Sequence, residues 1–245
     1  MKDRLASENR SRDMIYLILS GIFIANALLA EIIGSKLFNI WHFNLSLGVI
    51  IWPVVFITTD LINEYFGRRG VRNLSIFTAL LVLYAFVVFS IGMRIPAVSF
   101  SPVQDAPFKA VFGQSQWIIA GSITAFLISQ LVDVVVFWVI RAQTKGKYLW
   151  LRATGSTVIS QLVDTFIVGG IGLYLPGVLG LLPEGQVAMT FGDFMSTCLS
   201  GYTFKLLVAV AMTPVIYLGH SIIDRALGDK TAHDLIESAA RASLK

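Results

Sequence analysis

The 245-residue chain has a single cysteine, Cys198, which excludes an intrachain disulfide framework and any cysteine-rich metal motif. Histidine is almost as scarce. His42, His220 and His233 stand far apart, without the spacing of a metal site. No Walker A loop and no glycine-rich dinucleotide fingerprint occurs. No apolar run carries a ladder of arginines. These absences leave no residue pattern that reads as an enzyme, and they imply no cofactor and no metal. Charge is the scarcest property of all. Only 14% of residues are charged, against about 25% in a soluble domain. In their place 56% are hydrophobic, and the mean hydropathy is +0.74. The chain reads as an integral membrane protein. The net charge of +4 does not point to nucleic acid, because the basic residues cluster beside apolar runs, where they set topology.

Six apolar runs follow one another. They cover roughly Met14–Ile33, Leu45–Glu64, Asn73–Met93, Trp117–Ile140, Ala153–Leu175 and Phe191–Leu218. About 20 apolar residues cross a bilayer core as a helix. Pro53 is expected to kink the second run, and Trp41 and His42 fit an interfacial turn before it. Residues 94–116, with Pro96, Pro102 and Pro107, read as a longer link. Gly169, Gly170 and Gly172 read as close-packing or helix-loosening residues. Arg and Lys alternate between the connections. One side receives Lys2, Arg4, Arg10, Arg12, Arg68, Arg69, Arg72, Arg141, Lys145, Lys147, Arg152 and the C-terminal bases. The other receives only Lys36, Arg94 and Lys109. By the positive-inside rule this predicts an all-α bundle of six transmembrane helices with both termini cytoplasmic. Residues 1–13 would be a cytoplasmic tail, 14–220 the membrane domain, and 221–245 an amphipathic tail helix. Ala25-Asn26-Ala27 looks like a signal-peptidase site, but the acids Asp3, Glu8 and Asp13 and the spans that follow argue against cleavage.

Within this apolar frame one pentapeptide occurs twice: Ser129-Gln130-Leu131-Val132-Asp133 and Ser160-Gln161-Leu162-Val163-Asp164. Gln and Asp three residues apart share a helix face. Asp133 lies about 12 Å along its helix from Arg141, and Asp164 about 18 Å from Arg152, so both are deep. An ionisable group at that depth costs about 2.5–3.5 kcal/mol on insertion scales and usually faces a partner or a watery cavity. The same motif on consecutive, antiparallel spans implies a local two-fold relation of the kind found in inverted-repeat transporters. Polar side chains can also simply hold helices together, but such a role does not need two carboxylates. Lys205, deep in the sixth run, would neutralise Asp133 or Asp164. Asp60 and Glu64 stand one helical turn apart at the end of the second run. Glu64 fits an ordinary helix end, and Asp60 is the deeper of the two. Glu31 fits the outer interface, paired with Lys36. A pocket of carboxylates, amides and aromatics suits a cation or a neutral heterocycle. The guanine edge offers paired N–H donors that a carboxylate accepts in bidentate fashion. Trp52, Tyr84, Phe137, Trp138 or Tyr202 could stack on such a ring.

Four motifs together carry a family resemblance: Thr59-Asp60 followed by Phe66-Gly67; Gln130-x-x-Asp133-Val134 with Phe137; Ser156 followed by Asp164-Thr165; and Tyr202-x-Phe204-Lys205. Over residues 14–220 the chain resembles the queuosine precursor transporters, part of the vitamin uptake transporter family. The resemblance implies six helices and import of 7-deazaguanine bases, such as 7-cyano- and 7-aminomethyl-7-deazaguanine, across the inner membrane for tRNA queuosine synthesis. It places Asp60, Gln130, Asp133, Gln161, Asp164 and Lys205 in the substrate pocket, and Tyr202 joins them as a candidate stacking residue. A carboxylate left over in that pocket could carry a coupled proton, since burial raises the pKa of an acid. The implied partners are a purine-like small molecule and the lipid bilayer, with a homodimer left open and no direct nucleic-acid contact. Two alternatives stay open. One is a membrane-embedded binding subunit energised by a separate ATP-driven module, for which Gly21-x-x-x-Ala25 and Ala30-x-x-x-Gly34 offer small-residue faces. The other is import of a different vitamin-like heterocycle. A purely structural protein would bind no small molecule.

Overall fold

A computed structural model describes residues 2–144, 149–182 and 185–243. The chain is mostly helical: α1 (Lys2–Ile33), α2 (Trp52–Gly92), α3 (Asp105–Gln143), α4 (Leu149–Gly169), a short α5 (Leu175–Val178), α6 (Phe191–Ala211), α7 (Thr213–Leu227) and α8 (Asp229–Ser243). Among the described residues, four stretches are long and apolar enough to cross a membrane: Arg10–Ile33, Arg69–Gly92, Asp105–Ser129 and Val158–Val178. They overlap the first, third, fourth and fifth runs expected from the sequence.

Several boundaries differ from expectation, and proline explains most of them. Pro53 does not kink a span. It is the second residue of α2, where its missing N–H has no helical partner to lose. The break in α2 falls instead at Gly67, with φ 71° and ψ 178°. Residues with a Cβ rarely adopt that φ, and a Cβ there would also lie 3.4 Å from the Ala239 Cβ of α8. The link at 94–116 is shorter than its three prolines suggest. Pro107 sits in the first turn of α3, so the helix begins at Asp105 rather than near Trp117. The 39 residues of α3 span about 58 Å at 1.5 Å each, well beyond a hydrocarbon core of about 30 Å. Pro214 separates α6 from α7, and Gly228, at φ 80°, divides the tail into α7 and α8. The polar residues before Met14 continue α1.

The connection around Trp41 is a turn, as expected, but it closes an antiparallel hairpin. Strands β1 (Leu37–Ile40) and β2 (Phe43–Ser46) pair with Leu37 opposite Ser46 and Ile40 opposite Phe43. Trp41 holds a left-handed backbone at φ 54° and is almost fully exposed.

The chain forms two compact units. The first comprises Met1–Ala30, Val49–Leu81 and Lys205–Lys245, and the second Glu31–Gly48 and Val82–Phe204. The core of the first is Leu19 and Phe23 of α1, Val55, Leu61, Ile62, Tyr65 and Leu74 of α2, Ile223 and Leu227 of α7, and Ala232 of α8. In the second, α3 and α4 run antiparallel and in close contact. A Cβ on Gly172 would come within 2.7 Å of the Ile118 side chain, and one on Gly121 within 3.1 Å of the Val168 carbonyl. Nearer the other end of the pair, Gly155 faces Ile140.

Candidate functional site

The close contacts between α3 and α4 set their register. Ile118 meets Gly172 at one end, Gly121 meets Val168, and Ile140 meets Gly155 toward the other. Between these points, residues 129–133 of α3 come to the same level as residues 160–164 of α4. The two Ser-Gln-Leu-Val-Asp copies therefore lie side by side along the helix pair. Asp164 and Gln161 are half-buried, and Ser160 is buried. The side chains of Gln130 and Asp133 lie outside the described residues, and only the placement of their backbone on α3 is given.

Helix α6 packs on α4 in the opposite direction. The Tyr202 hydroxyl donates to the Val158 carbonyl at 3.1 Å, the Cys198 thiol lies 3.8 Å from the Thr165 carbonyl, and Phe194 stands edge-on to Phe166. A Cβ on Gly169 would have no room against Cys198. Tyr202 is thus tied to the same helix that carries Gln161 and Asp164.

Past Asp164, α4 runs into a π-helical turn, Gly170–Tyr174. Pro176 follows, and its missing N–H leaves the Gly172 carbonyl without its ordinary helical donor. The Gln114 side chain of α3 donates to that carbonyl at 2.9 Å. Its neighbours reach other helices. Ser115 donates to the Ile32 carbonyl of α1 at 2.8 Å, and Gln116 donates to the Phe86 carbonyl of α2 at 3.2 Å and to the Ser90 hydroxyl. Three consecutive polar residues thus fasten α3 to three partners. One level further along, Ser122 donates to the Glu31 carboxylate at 2.8 Å. Glu31 therefore contacts α3, a helix expected to cross the membrane. Gln114, Gln116 and Ser122 are polar residues that sequence reasoning did not place.

Asp60 and Lys205 belong to the other unit. There the Lys205 Nζ sits 5.2 Å from the centroid of the Trp52 ring, a cation–π contact worth about 0.5–2 kcal/mol. Trp52 lends its face to Lys205, although the sequence offered it as a surface for substrate. Asp60 stands two turns further along α2 and interacts electrostatically with His220 of α7. Next to them is a hydrogen-bonded cluster. The buried Tyr65 hydroxyl donates to Asp224 at 2.6 Å and lies 3.0 Å from His220 Nδ1. Burial, then the hydrogen bond and charge of Asp224, and then the charge of Glu64, push the Tyr65 hydroxyl above its ordinary pKa, so it stays protonated and donates.

These features define a multi-pass helical membrane protein with carboxylates and amides set into its apolar helices, the mark of a protein that handles a polar solute. Residues 46–219 match the family model described as "Putative vitamin uptake transporter", and the chain belongs to that family. Membership makes it a transporter rather than an enzyme. It is 30% identical over 191 residues to a Bacillus subtilis (strain 168) protein named "Probable queuosine precursor transporter", covering 77% of each chain. A Haemophilus influenzae protein of the same name is 29% identical over 180 residues, covering 71% of this chain and 67% of the relative. No solved structure matches.

Proposed function

We propose that the protein imports queuosine precursors, 7-deazaguanine bases such as 7-cyano- and 7-aminomethyl-7-deazaguanine, across the inner membrane by secondary transport. The observation that carries this reading is the pairing of the two Ser-Gln-Leu-Val-Asp copies at one level on α3 and α4. The names of the two relatives supply the substrate class. Asp133 or Asp164 accepts the guanine-edge N–H donors, Gln130 and Gln161 read the remaining edge, and Tyr202 stacks on the ring. Lys205 and Asp60 are further charged groups assigned to the transport path. The reading includes six spans with both termini cytoplasmic, supported by the alternation of basic residues.

Binding tests it. A ligand that binds only the folded state stabilises it by about 2.7 kcal/mol at a hundred times its Kd. The purified protein is expected to melt higher with 7-cyano- and 7-aminomethyl-7-deazaguanine, and to show no shift with unrelated vitamins. A shift with another heterocycle alone would reassign the substrate. A well-folded sample that responds to no small molecule would reject transport at this site.

A further inference from the structure

Glu31 stands in the last turn of α1, within a stretch able to cross the membrane, and is half-buried. It belongs to the second unit, with α3 and α4. A serine hydroxyl needs no carboxylate as its acceptor. Seven residues before Ser122, on the same face of α3, Ser115 donates to a plain backbone carbonyl, that of Ile32. Ser122 donates instead to the Glu31 carboxylate at 2.8 Å. A carboxylate among membrane-crossing helices is far more costly than a neutral acceptor. Packing of α1 on α3 therefore does not call for it.

Two consecutive residues of α3 fix where that carboxylate lies. Gly121 packs on Val168 of α4, and Ser122, about 100° further round the helix, meets α1. Glu31 thus reaches α3 at the level where α4 also touches it. On α4, Asp164 is four residues before Val168, about 6 Å along the helix, and Gln161 is seven, about 10 Å. On α3, Ser129, which opens the first pentapeptide, is likewise seven residues from Ser122. The carboxylate therefore lies one to two turns beyond one end of the paired motif.

The two bases of the transport reading share a guanine edge and differ in the charge of the arm on the five-membered ring, which projects away from that edge. The cyano arm is neutral. The aminomethyl arm ends in a primary amine, protonated at neutral pH as the lysine amine is. A base with its edge on Asp164 and Gln161 can point this arm along α3 toward Glu31.

We propose that Glu31, held by Ser122, binds the ammonium of the aminomethyl base and sets the preference between the charged and the neutral precursor. The contact is a charge-assisted hydrogen bond, of the strong kind. The inference rests on the transport reading above and adds a specificity-determining residue to the same site.

Binding to the purified full-length protein tests it. Glu31→Gln leaves Ser122 an acceptor on a side chain of the same length. It is expected to weaken 7-aminomethyl-7-deazaguanine by about tenfold or more, the scale of one charge-assisted contact, and to leave 7-cyano-7-deazaguanine within about twofold of wild type. Equal weakening of the two bases, or no change in either, would overturn the proposal. A second measurement needs no variant, and so stands even where Glu31→Gln does not fold. 7-Hydroxymethyl-7-deazaguanine keeps the size of the arm and loses its charge. Wild-type protein should bind it about tenfold or more weaker than the aminomethyl base. Equal affinity for the two would overturn the proposal. Wild-type protein that binds none of these bases would instead refute the substrate reading, and this inference with it. Wild-type protein that binds them all, with Glu31→Gln treating them as wild type does, would refute this inference alone.

Discussion

Asp164→Asn, inserted in normal amount, is expected to lose 7-deazaguanine import almost completely, and Asp133→Asn to lose it similarly. A carboxylate accepts both guanine-edge protons, whereas an amide presents one N–H donor to another. Charge-assisted hydrogen bonds of this kind contribute about 1.5–3 kcal/mol each. Affinity should therefore weaken by roughly 10- to 100-fold, at about 1.4 kcal/mol per factor of ten. The fold should survive, because the contacts that set the register of α3 and α4 are made by Ile118, Gly121, Ile140, Gly155, Val168 and Gly172. Uptake rate and Kd measured on the same preparations check this. Import at the full rate by both variants would show that the paired motif only joins helices.

Lys205→Met is the second large effect. Methionine keeps the length of the side chain and removes its charge. An ammonium group in an apolar helix is costly, and its contact with Trp52 offsets only part of that cost. If Lys205 serves only packing, uptake should hardly change. If it balances the carboxylates during transport, uptake should drop by about tenfold or more, equivalent to roughly 1.4 kcal/mol, while far-UV helicity stays the same. Lys205→Arg separates charge from geometry, since a guanidinium does not reproduce the compact ammonium. Wild-type uptake by Lys205→Met would remove Lys205 from the site.

Apolar runs and repeated motifs were legible in the sequence because they depend on local composition. Among the described residues, four stretches able to span a membrane overlap the expected runs, and the two pentapeptides lie at one level on adjacent helices. Helix starts were harder, because proline reads alike in a link and in a first turn. Pro53 and Pro107 occupy first turns, where an absent N–H costs nothing. The hairpin at 37–46 shows in the sequence only as a turn, since strands this short carry little alternation. Long-range polar contacts were not legible at all. Tyr65 reaches His220 across 155 residues, Ser122 reaches Glu31 across 91, and Gln114 reaches Gly172 across 58. No spacing rule links residues so far apart. One signal was available for the last of these: Pro176 four residues after Gly172 announces a carbonyl in need of a donor.

The most direct test of the account is uptake of 7-cyano-7-deazaguanine by the purified chain alone in liposomes. A secondary transporter should show saturable uptake, competed by 7-aminomethyl-7-deazaguanine and not by adenine, with no ATP and no second protein present. Binding without uptake would contradict autonomous transport and point to a subunit that depends on an ATP-driven partner.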